Sequence, residues 1–175
     1  MVVVPVPAGI GFAASQFGAL GGLLSVASFY ILSLLYPDPT NLNLLFGYVL
    51  VPVAMFLSIK FFKDYSNSGF LSFSEGMTVG FVTYTLLGIL SALGIWVILS
   101  FSPELFEEIK TQKLEVLLES KEMIISQLGE NSYLTTEGSV KEMSPWDVAL
   151  NDGLWKIVPG MFFSIIISII FRKNP

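Results

Sequence analysis

The stretch Ser74-EGMTVGFVTYTLLGILSALGIWVILS-Phe101 decides the class of fold. No Asp, Glu, Lys or Arg stands between Glu75 and Glu104. The hydrocarbon core of a bilayer, about 30 Å thick, takes about 20 helical residues at 1.5 Å each, and this run is longer. Ser72 and Glu75, just ahead of it, have the S-x-x-E spacing of a capping box, which predicts a helix start there.

Working outward, three more segments meet the same requirement. Leu42 to Phe62 reads as a second span, with Lys60 placed so that its long stem carries the ammonium to the interface. Pro52 lies inside it, where a kink is expected and tolerated. Pro37-Asp38-Pro39-Thr40-Asn41 supplies turn chemistry ahead of it. Before that turn, Ile10 to Tyr36 carries no charge and reads as the first span. On the other side, Leu154 to Phe171 reads as the fourth and shortest, with Pro159 near its start and Arg172 and Lys173 as its stop. The predicted fold is all-α, a transmembrane four-helix bundle, with residues 1–175 as a single membrane domain. Val2 to Ala14 has no Lys or Arg before it, and its apolar run continues to Tyr36, so it reads as a lead-in and not a cleavable signal. Pro5 and Pro7 predict an extended start.

Composition agrees with that reading. Apolar residues make up 53% of the 175 and charged residues 13%, whereas soluble domains carry about 25% charged residues. The chain has no Cys and no His, which removes thiolate nucleophiles, a Ser–His triad and His-based zinc sites. The net charge of −5 is concentrated, because acids cluster between Glu104 and Asp152. That argues against nucleic acid as a partner, which calls for a basic patch.

Small residues recur every fourth position in each span, which is about one turn. Ala14, Gly18 and Gly22 line the first; Ala54 and Ser58 the second; Gly76, Gly80, Gly88 and Ala92 the third, interrupted by Tyr84; Gly160, Ser164 and Ser168 the fourth. Such stripes let backbones approach closely, so these rows are the expected helix-packing faces, either within one chain or between chains.

The segment from Ser102 to Asp152 differs in kind. Ser102-Pro103-Glu104 is a helix start: a cap, Pro at the first position and an acid beside the positive end. Apolar Leu114, Leu117, Leu118, Ile124, Ile125 and Leu128 follow at helical spacing, and Gly129 is a stop. An amphipathic helix outside the bilayer core is therefore expected from 103 to 128. Glu130 to Met143 reads as a loop, and Ser144-Pro145-Trp146-Asp147 as a capping box for a short lead-in to the fourth span. The uncovered face of the amphipathic helix needs the bilayer surface, the bundle's end or a partner.

The decapeptide Asn67-Ser68-Gly69-Phe70-Leu71-Ser72-Phe73-Ser74-Glu75-Gly76, followed by Gly80, resembles a family of small four-span bacterial membrane proteins known only as a domain of unknown function. The shared motif is Gly-x-x-Ser-Phe-x-Glu before the third span. The likeness extends to the Gly-bearing first span, the bases after the second, the long acidic segment and the Arg172-Lys173-Asn174-Pro175 ending. It implies a bacterial inner-membrane address and lends no catalytic residues.

The polar residues near the spans each have a simple account. Glu75 is explained by capping, and Lys60 and Lys63 by snorkelling and topology, although they could meet a headgroup phosphate. Gln16, Thr83, Tyr84 and Thr85 are expected to hydrogen-bond between helices. No carboxylate, Lys or Arg is expected deep in a span. Glu104–Glu108 and Glu115–Glu119 fall short of a cation cage. No catalytic, cofactor or metal site is expected, and no enzyme activity.

Four spans put both termini and the loop from Lys60 to Glu75 on one side. Lys60, Lys63, Arg172 and Lys173 lie there close to span ends, so the positive-inside rule leans to cytoplasmic termini and an extracytoplasmic segment 102–152. Trp96, Trp146 and Trp155 fall toward that outer side. The functional expectation is a non-enzymatic structural or interaction component. It would meet the lipid bilayer, and a protein partner or second copy would bind through the 103–128 helix. A small transporter, channel or accessory subunit is the alternative.

Overall fold

A computed structural model describes residues 9–173, so the expected extended start at Pro5 and Pro7 and the last two residues of the ending lie outside the described residues. Among the described residues seven α-helices follow in order: α1 Ile10–Ser33, α2 Thr40–Phe61, α3 Phe73–Phe101, α4 Pro103–Glu119, α5 Lys121–Leu128, α6 Glu130–Glu142 and α7 Pro145–Phe171. A π-helical turn, Phe62–Ser66, prolongs α2. The four helices α1, prolonged α2, α3 and α7 are long and apolar enough to cross a membrane. Between the third and fourth lies the helical segment α4–α6. Among the described residues there is no strand, only a bridge between Leu71 and Lys173 that ties the chain's end to the turn before α3.

Helix α3 is the centre of the bundle, packed against α7, α1 and α2, and α7 also meets α2. Small residues set the spacing. A Cβ at Gly18 would fall 2.8 Å from the Thr83 carbonyl oxygen, and one at Gly22 would fall 2.6 Å from Leu90 Cβ, so both face α3. Gly76 faces Ser168, Gly80 faces Ser164, and Gly160 faces the Tyr84 ring. Gly88 lies against Ile157 and the Gly153 carbonyl, and a Cβ at Gly153 would meet the Gly88 carbonyl oxygen at 2.8 Å. The rows on α3 and α7 thus meet each other within one chain, and the row on α1 packs on a different face of α3.

Two apolar cores result. The inner one includes Ala13, Ala14, Val51, Met55, Ile59, Val79, Leu87 and Ile167. The outer one joins Phe29, Ile95, Leu99, Val148 and Ala149 to Phe106 and Ile109 of α4. The bundle's own end therefore covers the first half of the amphipathic face. Lys113 Nζ donates to Asp38 Oδ2 and Thr40 Oγ1, both at 2.9 Å, and ties α4 to the α1–α2 turn.

Three boundaries differ from the sequence reading. The single 103–128 helix is interrupted at Ser120 (φ −87, ψ 2), and after Gly129 (φ 85, ψ 161) α6 packs against both α5 and α4. The expected loop from Glu130 is helix α6. Its Ser132, Thr135, Thr136 and Ser139 hydroxyls donate to carbonyls four residues back, and its Tyr133 is buried, so tertiary contact overrides weak propensity. The fourth spanning helix begins at Pro145 instead of Leu154, because the Ser144–Asp147 capping box opens α7 itself. That shift carries Asp152 into a spanning helix and moves Lys156 from the first turn of the span to well inside it.

Candidate functional site

Asp152 and Lys156 are four residues apart on α7, the acid toward the N-terminus, which is the favourable order for an ion pair on one helix face. Lys156 is 0% exposed and Asp152 4%. The Lys156 ammonium donates to Asp152 Oδ2 and to Ser91 Oγ at 3.1 Å. Ser91 donates to the same carboxylate oxygen at 2.6 Å and shares a hydrogen bond with Ser25 Oγ at 2.8 Å. Asn43 Nδ2 donates to Asp152 Oδ1 at 2.9 Å. Each of the four spanning helices supplies at least one group: Ser25 from α1, Asn43 from α2, Ser91 from α3, and the charged pair from α7.

Backbone spacing makes room for it. A Cβ at Gly47 would fall 2.5 Å from Lys156 Cε, so the lysine stem crosses α2 only because position 47 has no side chain. The cluster lies between the two apolar cores, with Leu87 one turn to one side of Ser91 and Ile95 one turn to the other. Trp96 and Trp146 meet edge to face at 5.9 Å between centroids near the α4–α6 end. Counting along α3 and α7 from that aromatic pair, Ser91 lies about 8 Å deeper, Asp152 about 9 Å and Lys156 about 15 Å. If the tryptophans mark the interface, as such rings commonly do, the pair is within the apolar zone.

The expectation that no carboxylate or ammonium lies deep in a span is therefore corrected. Burying two opposite charges is costly, and close geometry with further hydrogen bonds offsets that cost; here the cluster has both. Hydropathy starts the fourth span at Leu154, which leaves Asp152 outside it and Lys156 only two residues inside, so neither stands out from sequence as deep. The signal that could have found them is the Ser144–Asp147 capping box, whose helix phase puts 152 and 156 on one face.

The residues singled out from sequence are spread widely. Ser72 Oγ accepts from the Glu75 backbone N–H at 3.2 Å, and Glu75 Oε2 accepts from the Ser72 N–H at 2.8 Å. Asn67 Nδ2 donates to Glu75 Oε1 at 3.2 Å, so the carboxylate is engaged in local structure. Ser72→Ala is expected to cost about 0.5–2 kcal/mol through the lost cap, read as a lower unfolding midpoint in detergent. Thr83 donates to Ser58 Oγ at 2.9 Å, an interhelical bond, while Gln16 is exposed on α1. Tyr84 is buried against Gly160, and Thr85 Oγ1 is buried without a partner. Lys60 is exposed, and Lys63 Nζ sits 5.4 Å from the Phe171 ring centroid. The helix-packing positions Gly18, Gly22, Gly76, Gly80, Gly88, Gly160, Ser164 and Ser168 all lie on the side of the ionic cluster away from α4–α6 and take no part in it.

The family model described as "Protein of unknown function (DUF4199)" matches residues 16–173, nearly the whole chain, and the chain belongs to that family. No curated protein and no solved structure matches it.

Proposed function

We propose that this family member is a non-enzymatic, multi-pass component of the bacterial inner membrane that docks a protein partner through its acidic α4–α6 cap. The termini lie in the cytoplasm and the cap outside it in this reading, in keeping with Lys60, Lys63, Arg172 and Lys173 near the span ends opposite the cap.

The observation that carries the docking reading is the uneven covering of the cap. Phe106 and Ile109 of α4 are consumed by the bundle's end, but α5 buries no residue at all. Leu118, Met123, Leu128 and Leu134 are each more than half exposed. Around them stand nine Glu against four Lys between residues 103 and 142. A second copy would set acid against acid, and an anionic lipid surface would repel the cap. The occupant that fits is a protein surface with an apolar face rimmed by Lys or Arg.

Photo-crosslinkers at Met123 and Leu128 in intact cells test it. The expected result is a discrete heterologous adduct whose partner presents a basic-rimmed apolar surface. With both proteins purified, that complex should weaken as salt is raised and be lost with Met123→Glu/Leu128→Glu. A homodimer adduct alone, or lipid adducts alone, would contradict the reading.

The second reading, a small transporter, channel or accessory transport subunit, draws support from the charged pair among the spans and from Pro52 and Pro159 inside them. Its check is ion or solute flux into proteoliposomes that disappears when Asp152 and Lys156 are both replaced.

A further inference from the structure

The ionic cluster has hydrogen-bonding capacity that protein groups do not use. Asn43 is fully buried, and its Oδ1 has no partner among the described residues although its Nδ2 is committed to Asp152. Lys156 carries three N–H groups and gives two of them, to Asp152 and Ser91. Beneath the cap, a pocket of about 590 Å³ is lined by Thr40, Lys113, Glu142, Asp147 and Asn151 among others. Thr40 stands one turn ahead of Asn43 on α2, and Asn151 immediately precedes Asp152 on α7. The pocket wall is thus about one helical turn, some 5 Å, from the cluster along the α2–α7 seam. On its other sides the cluster is closed by Phe29, Leu87 and Ile95.

The lysine stem packs along Gly47, and its ammonium is held by Asp152 and Ser91. The particle free to move is the proton. We propose that Asp152, Lys156 and Ser91 form a proton-binding site fed by water from the pocket under the cap, with the proton itself as ligand.

The chemistry balances in two steps. In the first, a Lys156 N–H bond breaks and an Asp152 Oδ2–H bond forms; the nitrogen keeps its electron pair, and the cluster stays at zero net charge. In the second, the neutral amine takes a proton from a hydronium in the pocket; an N–H bond forms, water is left, and the cluster gains one positive charge. Forms with no net charge are favoured away from water, so the first step stays close to balance while the second follows the proton supply.

Few other titratable groups bear on the site. From α1 and α2 it meets Ser25 and Asn43, neither of which titrates, and from α3 the nearest ionisable side chain on that face is Tyr84, packed on Gly160. The cap and the start of α7 contribute Lys113, held by Asp38, together with Glu142 and Asp147 at the pocket wall.

The test uses the full chain in nanodiscs of zwitterionic lipid, followed by infrared difference spectroscopy as pH is stepped from acidic to alkaline. The expected result is a carboxylic-acid carbonyl band that grows as pH falls, shifts in D2O and is lost in Asp152→Asn. In Lys156→Gln, which removes the counter-charge, the band keeps its full amplitude into the alkaline range where that of the unaltered chain has diminished. Asp152→Asn/Lys156→Gln, with no charge to bury, is the folded reference for helix content and size. Absence of any Asp152-dependent band would overturn the proposal, because the pair would be a fixed ion pair. A band that does not shift in D2O would overturn it equally, because the site would be sealed from water. Neither outcome bears on docking at the cap, which involves other residues.

Discussion

Replacing Lys156 by methionine is expected to destabilise the bundle by about 3–5 kcal/mol, and replacing Asp152 by leucine in the same chain to restore most of that loss. Methionine matches the length of the lysine stem and keeps its packing over Gly47, so the single change removes little except charge. It leaves Asp152, 4% exposed, with only Ser91 and Asn43 as donors, so the carboxyl must take up a proton to stay buried, at a cost of that size at neutral pH. The double variant removes the unpaired carboxyl as well, and its residual deficit reflects Asn43 and Ser91, which then lose their shared acceptor. Equilibrium unfolding in mixed micelles, arranged as a double-mutant cycle, measures the coupling. Losses in the two single variants that simply add up to the loss in the double variant would mean that the two side chains do not interact.

The second large effect belongs to Gly153. A methyl group there would press on the Gly88 carbonyl oxygen at 2.8 Å and on Ala92 Cβ at 2.9 Å, neither of which is the end of a flexible side chain. Gly153→Ala therefore forces α3 and α7 apart and is expected to cost about 1–3 kcal/mol. Gly138, within α6, has nothing within 4 Å of an added Cβ. There the same substitution is expected to stabilise its helix by about 0.5–1 kcal/mol, through backbone entropy alone. Thermal unfolding of the two variants side by side checks the contrast, and equal effects would show that α3 and α7 are not in close contact at this point.

What the sequence made legible follows from how strong each local signal is. The α3 run is charge-free and announced by Ser72 and Glu75, so its type and start could be read directly. The fourth spanning helix was read too short for the converse reason. Asp152 and Lys156 lower the local hydropathy, and their mutual neutralisation is a three-dimensional fact involving Ser91 and Asn43, 61 and 109 residues away. Helix α6 was hidden because its Ser, Thr and Gly content argues for a loop, and only contacts such as Tyr133 make it helical. Gly153, absent from the four-residue rows, gained its role from facing Gly88. Such pairings depend on rotation and depth of helices, which spacing within one helix does not specify.

Sidedness of labelling is the most direct test of the whole arrangement, and the lack of cysteine gives it a clean background. Thr135→Cys places a thiol on the exposed part of the cap, and Asp64→Cys places one on the exposed turn after α2, at opposite ends of the bundle. Intact cells treated with an impermeant maleimide should label position 135 and leave position 64 unlabelled until the membrane is opened. Labelling of both positions in intact cells would contradict the four-span arrangement, and labelling of position 64 alone would reverse the orientation and move the partner of the cap to the cytoplasm.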